Sequence, residues 1–366
     1  MNYIPRVSVI IPVYKNPMNL KEILRAIFND SYQEKEVIII ADEPDDDFFR
    51  TDFLDRCKLI INNKRIGKVE SLNKAVKIAN GDYLIFLDSD VFIPDDLVSR
   101  SVQVALNSNA DIIDYVKLGY GNKIIERMAS IDYAIASAFL EIGSKFSRKT
   151  IALDGAAFMI KKDSLINVGG FDHFFAEDLY LGLKSYVHGL KYILSNIEVR
   201  VKQPDSIKKW FDQRIRWSYG LSEWILNNFL RLIFYFLRTP WFFISFIIFV
   251  VSPLTSLGFF YLISAPFVNN FMMLYLFNPV IKFTPLLARF PRIYLVYFTR
   301  FFAIFMGSFV LTMIAYSFIL KHYRIKYRFY DLLVYYFFYQ PLLFATYMLG
   351  FAIYVLKVRV ELNWKV

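Results

Sequence analysis

Between Glu223 and Asp331 the chain carries no acidic residue, and after Asp331 none until Glu361. A fold surrounded by water rarely runs that far without a carboxylate. A fold surrounded by lipid does, because an ionised Asp at mid-bilayer costs roughly 2.5–3.5 kcal/mol even on the lenient scale. Within this region three apolar stretches reach the roughly 20 residues that a helical span requires. They are Trp241 to Ile263, kinked by Pro253 and Gly258; Phe301 to Leu320, uncharged; and Leu332 to Leu356, which contains Pro341. Phe267 to Pro291 is apolar but interrupted by Asn269, Asn270, Pro279, Lys282 and Pro285. It reads as a fourth span, a re-entrant piece or an interfacial helix. As buried helices of a soluble protein these lengths would need an improbably large core.

Charge and composition agree with this reading. The hydrophobic fraction is 56%, against about 45–50% for a soluble domain. The net charge is +10, but the basic residues do not gather on one soluble element, so a nucleic-acid partner is not expected. They flank apolar stretches instead: Arg231, Arg238, Lys282, Arg289, Arg292 and Arg300, then Lys321, Arg324, Lys326 and Arg328. That is the placement of anchors meeting anionic lipid heads. The positive-inside rule wants both later clusters in the cytosol, yet a span separates them, so the choice between three and four spans stays open. Cys57 is the single cysteine, which excludes an intrachain disulfide and a thiolate metal cluster. Met1 to Arg6 leads straight into a strand with no signal peptide, which predicts a cytosolic N-terminal domain on a multi-pass protein of the cell membrane.

The first two hundred residues have a different rhythm. Val7 to Val13 and Glu36 to Ala41 are β-branched runs with the pattern of buried parallel strands, Leu59-Ile60-Ile61 is a third, and Tyr83 to Leu87 a fourth. Between them, residues 17–29 and 69–79 have helical apolar spacing. Alternation of this kind predicts a parallel α/β sheet with ligands at the strand C-termini. Further on, residues 123–142 and 179–187 read as helices and 151–160 as a strand with a small-residue turn inside it. Residues 206–237 read as a helix whose second half is amphipathic and fit to lie in a membrane interface.

Several chemistry-bearing residues fall where such a sheet would present them. Asp88 and Asp90 follow the fourth strand, and two carboxylates so placed can address one hard cation, Mg²⁺ or Mn²⁺, that bridges a diphosphate. Asp42 ends the second strand and can accept from a base N–H, although the acidic run from Glu43 to Asp47 also suits a solvated loop. Lys68, after Gly67 at a helix start, can meet a phosphate with help from helix N-terminal amides. Glu177 and Asp178 open a helix, where the dipole favours acids in any case, and either is a candidate general base. Gln213, Arg214, Arg216 and Trp217 place two guanidiniums and an indole together. They suit a pyrophosphate clamp and a sugar-stacking face, or an interface girdle. His173 reads as a surface or packing histidine.

In order and spacing these residues resemble the family-two inverting glycosyltransferases of GT-A fold, in the membrane-bound branch that includes cellulose, chitin and hyaluronan synthases and ceramide glucosyltransferase. The likeness runs over residues 5–220. It rests on VSVIIPVYKN at 7–16, Asp42, the G-K-x-x-x-L-N segment of Gly67, Lys68, Leu72 and Asn73, the D-x-D of Asp88 and Asp90, the segment 155–172 beginning at Gly155, Glu177-Asp178, and the Q-x-x-R-W of Gln213, Arg216 and Trp217. Ala41 and Ala176 depart from the family pattern without removing a catalytic group.

The resemblance implies a GT-A, Rossmann-like mixed and mainly parallel sheet followed by a C-terminal α-helical transmembrane domain. It implies a nucleoside-diphosphate sugar as donor, a UDP-sugar first. Asp42, Lys68, Asn73, Asp88 and Asp90 are then donor-binding, Asp88 and Asp90 metal-binding, and Asp178 the catalytic base. Gly155, Glu177, Gln213, Arg214, Arg216 and Trp217 fall on the acceptor and pyrophosphate side. The expected division is a catalytic domain at 1–220, an amphipathic interface helix at 221–240 and a membrane domain at 241–366. The expected acceptor is a lipid or lipid-linked glycan. A processive polysaccharide synthase is the runner-up, set back by the lack of the N-terminal membrane helices common in polymer synthases. A non-catalytic, nucleotide-responsive membrane scaffold is the reading from another class.

Overall fold

The computed structural model describes residues 4–15, 19–239 and 290–358. The span expected at 241–263, and all but the last two residues of the 267–291 stretch, lie outside them. The chain divides into two compact units, Met1–Phe242 with Thr346–Val366, and Phe243–Ala345.

The first unit is built on one eight-stranded sheet, in the order β3-β2-β1-β4-β7-β6-β8-β5. β1 (Val7–Tyr14), β2 (Lys35–Asp42), β3 (Lys58–Asn62) and β4 (Tyr83–Leu87) are mutually parallel, as their unbroken apolar runs predict. Such runs need cover on both faces. α1 (Leu20–Asn29) and α3 (Leu97–Ser108) belong to one covering layer, and α2 (Lys68–Ile78), with the buried residues of α5 (Lys162–Asn167) and α6 (Glu177–Val187), to the other. The sheet is mixed because β7 (Ala157–Lys161) runs against both its neighbours, β4 and β6 (Ile112–Tyr120). β8 (Tyr192–Lys202) restores the parallel direction beside β6, and the two-residue β5 (Val91–Phe92) closes the edge antiparallel to β8. The strand expected over 151–160 forms only from Ala157; residues before it make the turn that enters the strand.

Two long helices complete this unit. α4 (Ile124–Ser147) packs on β6. α7 (Ile207–Arg238) is capped at its start by Ser206 Oγ, which accepts from the Lys209 amide, and it kinks at Asn228. Before the kink α7 buries Trp210, Arg214, Ile215 and Ser218. After it, Phe229, Leu230, Ile233, Phe234 and Leu237 stay exposed. Farther along the chain, Tyr354 returns to this unit, edge-on to Tyr219 and with its hydroxyl 3.4 Å from Asn227 Oδ1.

The remaining described helices are α8 (Phe290–His322), α9 (Phe329–Val334), a π-helical segment Tyr335–Tyr339 and α10 (Gln340–Val355). Phe305–His322 and Phe329–Val355 are each long and apolar enough to cross a membrane. Within the second unit Gln340 Nε2 donates to Tyr316 Oη at 2.7 Å, burying both polar groups as a pair.

Candidate active site

The direction of the strands assembles the site. β1, β2 and β4 end on one rim of the sheet at Tyr14, Asp42 and Leu87. β7 runs the other way, so it begins on that same rim, with Ala157 opposite Leu87. The Asp88 amide donates to the Ala156 carbonyl at 2.8 Å, tying the Asp88-Ser89-Asp90 turn to the segment Asp154-Gly155-Ala156. The N-termini of α2 and α6 reach the same place and deliver Lys68, Glu177 and Asp178. Lys68, Asp88, Gly155, Glu177 and Asp178 line one narrow cleft, floored by Pro12, Phe158 and Phe171.

The charges in that cleft do not balance. Lys68 Nζ lies 2.8 Å from Asp88 Oδ1 and 3.1 Å from Glu177 Oε1, the only ion pairs in the cleft among the described residues. Burial disfavours its ammonium, but Asp88, Glu177 and Asp178 outweigh that and hold it well above its ordinary value. Asp178 accepts from the Gly155 amide at 2.8 Å through Oδ2 and from the Leu179 amide at 2.8 Å through Oδ1. Burial, then the neighbouring Glu177 charge, pushes its carboxyl up to about 7 in spite of Lys68. Asp88 is pushed up to about 6, again by burial, with Lys68 opposing and Asp90 adding to the shift. Asp90 rises for the same first reason, burial. A carboxylate poised near neutrality, in a cleft with other acids, is suited to take a proton from a hydroxyl. Gly155 makes this approach possible: a Cβ there would lie 3.0 Å from the Asp178 carboxylate.

The other expected residues fall into two groups. Asp42 is buried and engaged, accepting from Asn62 Nδ2 at 2.8 Å and from the Ile66 and Gly67 amides at 3.0 and 2.9 Å. It fixes the loop that enters α2, and Gly67 turns that loop with a φ of 99°, a conformation L side chains avoid. Asn73 faces the 169–171 loop: its Nδ2 donates to the Phe171 carbonyl at 2.9 Å and its Oδ1 accepts from the Phe171 amide at 3.1 Å. It thereby holds a ring of the cleft floor.

On α7, Arg214 is fully buried, bonded to Asp132 Oδ2 at 3.0 Å and lying 4.2 Å over the Trp217 ring. Gln213 Oε1 stands 3.5 Å from Arg214 Nη1. Arg216 is half-buried, and burial pulls its guanidinium below the ordinary value. Trp217 is partly open and meets Tyr133 of α4 edge-on at 6.2 Å. Burial, and next the Asp154 charge, holds the Tyr133 hydroxyl well above its ordinary value. Neither Tyr133 nor Trp217 is among the described residues that line the carboxylate cleft. His173 is exposed, 3.8 Å from Glu70.

Sequence reasoning passed over Asp154 and Lys117. Asp154 accepts from the Ala156 amide at 3.0 Å and adds a charge felt by Asp90, Asp178 and Lys117. Its signal is the Asp-Gly turn at the mouth of a strand, visible only once that strand is known to start at the rim. Lys117 lies inside β6, paired with Asp114.

Residues 8–175 match the family described as Glycosyl transferase family 2. The match stops just short of Glu177 and Asp178 and well before Gln213. Among curated proteins the chain is similar to poly-beta-1,6-N-acetyl-D-glucosamine synthase of Staphylococcus epidermidis, 26% identical over 246 residues, 61% of this chain and 56% of the relative. It is also similar to GalNAc(5)-diNAcBac-PP-undecaprenol beta-1,3-glucosyltransferase of Campylobacter jejuni, 25% identical over 62% of this chain and 76% of the relative. The chain thus spans little more than half the length of the synthase. Among solved structures, the mannosyltransferase PcManGT of Pyrobaculum calidifontis, in complex with GDP-Man and Mn²⁺, aligns with a TM-score of 0.57 at 17% identity, over 98% of this chain and 89% of that one. At that identity the likeness concerns the fold, the mixed and mainly parallel GT-A arrangement.

Proposed function

Residues 8–175 being a glycosyl transferase family 2 domain, we propose that the chain transfers a sugar from a nucleoside-diphosphate donor to a hydroxyl of a lipid-linked or membrane-presented acceptor, with inversion at the anomeric carbon. The observation that carries this reading is the convergence of Lys68, Asp88, Gly155, Glu177 and Asp178 on one cleft from four separate stretches of sequence. Asp178 accepts the acceptor's hydroxyl proton as the acceptor oxygen forms its bond to the anomeric carbon. The bond from that carbon to the diphosphate breaks on the opposite face, which inverts the centre. Lys68 faces the departing diphosphate, and the Gly155 amide keeps Asp178 aimed into the cleft. Trp217, with Tyr133 beside it, offers a ring face to the acceptor sugar.

Asp88 and Asp90 are the residues that would hold Mg²⁺ or Mn²⁺. Carboxylate oxygens are the donors a hard cation takes, and burial with like charges nearby holds protons on both; among the described residues no third acid or histidine joins them closely enough to complete an ion site. When bound, such an ion supplies positive charge to the leaving diphosphate. The solved mannosyltransferase of the same fold carries GDP-Man and Mn²⁺, which supports a nucleotide sugar and a metal here. A UDP-sugar is the first donor to try.

The catalytic part is taken as residues 1–220, the interface helix as 221–240 and the membrane part as 241–366. The exposed apolar face of α7 beyond Asn228 supports the second, and the two apolar helices Phe305–His322 and Phe329–Val355 support the third. In the proposed placement the catalytic part faces the cytosol. The Campylobacter relative is named for an undecaprenol-linked acceptor, which favours single transfer to a lipid; the Staphylococcus relative is named as a polymer synthase, which keeps processive synthesis as the second reading.

The test is the full chain, purified in detergent and given a panel of sugar nucleotides, Mg²⁺ or Mn²⁺, and extracted membrane lipid. Labelled sugar should appear on one lipid product with inverted linkage. A ladder of long chains would select the polymer reading. A folded protein that neither transfers nor hydrolyses any donor would leave a nucleotide-responsive scaffold.

A further inference from the structure

A cavity of about 600 Å³ lies at the ends of α4, α6 and α7, and among the described residues its lining shares none with the carboxylate cleft. Among the described residues two cations line it, Lys149 and Arg238, and no acidic side chain. Neither cation has a carboxylate partner among the described residues. Lys149 Nζ sits 5.4 Å over the Tyr186 ring and the Arg238 guanidinium 4.1 Å over the Phe234 ring. Hydroxyls complete the polar lining, with Tyr186 Oη and Thr239 Oγ1 2.6 Å apart and Ser147 nearby.

Three helix C-termini converge here, and their carbonyl ends would attract cations by themselves. That effect draws basic side chains onto the carbonyls. These two lie over aromatic rings instead, with their charged ends at a cavity. The surroundings are also wrong for a purely solvated patch. Phe146, Val187 and Leu237, next to the lining cations, are 59%, 55% and 79% exposed, and Leu230, two turns back on α7, is 79% exposed. Unmatched positive charge bordered by exposed apolar side chains is complementary to a molecule with an anionic head and apolar tails.

We propose that this cavity binds the phosphate headgroup of an anionic membrane phospholipid, with the acyl chains lying along Leu230 and Leu237. The inference rests on the interfacial placement of α7 proposed above and adds a specific site to it. The site docks the catalytic unit at a lipid surface by recognising charge as well as apolar depth. Lys149 and Arg238 take the phosphate oxygens, Thr239 and Tyr186 hydroxyls hydrogen-bond the head, and the aromatic rings keep both cations in position.

The test uses the full chain in neutral detergent and measures binding of dihexanoyl-phosphatidylglycerol, dihexanoyl-phosphatidylcholine and inorganic phosphate by thermophoresis. The phosphatidylglycerol should bind most tightly. Lys149→Gln with Arg238→Gln should weaken it by about thirtyfold, the roughly 2 kcal/mol that two basic groups contribute at an anionic surface. Binding of the neutral lipid should not change, and Arg231→Gln, on the same helix but outside the cavity lining, should bind as wild type. The proposal is overturned if the double variant binds phosphatidylglycerol normally, if the two lipids bind alike, or if inorganic phosphate competes as well as the lipid. The thermal transition without lipid reports folding. Should the double variant not fold, each single substitution is expected to weaken binding about fivefold, and wild-type affinity in both overturns the idea. Alkaline extraction of native membranes reads the underlying placement separately: the wild-type chain and the variants should all stay in the pellet. Release of the wild type would sink the membrane reading and this site with it.

Discussion

Two clusters of charge, one in the core and one at the rim, lie in the same unit and obey different rules. In β6, Asp114 is paired with Lys117 and also accepts from Tyr192 Oη at 2.9 Å and from the Tyr115 amide at 2.8 Å. Every charge there has an opposite partner, which is the condition under which a buried ion pair is tolerated. At the rim, Asp88, Asp90, Asp154, Glu177 and Asp178 share essentially one close cation, Lys68. The first cluster is closed and serves the fold. The second is left incomplete, and a missing positive charge is what a cation-bound diphosphate would bring.

The sharpest way to break this contrast is Asp178→Asn. Transfer should fall by about 10²–10⁴-fold, the span expected for loss of a general base, while the protein stays folded. Full activity in a sugar-transfer assay would remove Asp178 from its role. Lys117→Met should do the opposite. It strands Asp114 in the core and should cost about 3–5 kcal/mol of stability in denaturant unfolding. Adding Asp114→Asn should recover most of that loss; no recovery would mean the pair is not the reason for the lysine.

A smaller effect sharpens the comparison through pH. The Asp178 carboxyl sits at about 7 in the fold, above its ordinary value near 4. The folded state therefore keeps a proton that the unfolded chain gives up. The stability linked to that proton is fully present below about pH 4 and is lost as pH rises through 7, on the order of 1–2 kcal/mol after screening. The melting temperature should fall from pH 5 to pH 8 in wild type and hold flatter in Asp178→Asn. Mn²⁺ should restore part of the loss at pH 8, and less in Asp90→Asn. A wild-type melting curve indifferent to both pH and Mn²⁺ would mean the rim is not charge-starved. Least in size, Asn73→Ala should cost about 1–2 kcal/mol, because it leaves the Phe171 backbone unpaired. It should raise KM more than it lowers kcat, since Asn73 acts only through the cleft floor.

The same contrast explains what could be read from the residues alone. β1, β2 and β4 were legible because burial on both faces demands unbroken apolar runs, and Asp88 because it follows such a run; Glu177 and Asp178 could be singled out only as acids opening a helix. β6 was not, since Asp114 and Lys117 interrupt it with charges that only their mutual pairing makes compatible with a core strand. β8 was obscured similarly, its pattern alternating only from Ser195 onward. Asp154 stayed hidden because its importance depends on β7 entering the sheet at the rim, which is a matter of topology and not of local pattern. Asp42 and Asn73 could be singled out, but their bonds to backbone, to Gly67 and to Phe171, could not be read before the loops were folded.

The reversed direction of β7 has one more consequence. The turn that carries Asp88 and Asp90 leaves the sheet, while the turn that carries Asp154 and Gly155 enters it, and a single amide-to-carbonyl bond from Asp88 to Ala156 stitches the two. Lengthening or reshaping the entering turn would remodel the pocket's wall on one side and leave the other side's registry untouched. On the proposed reading, such changes would retune the acceptor side of the cleft and leave the donor side in place.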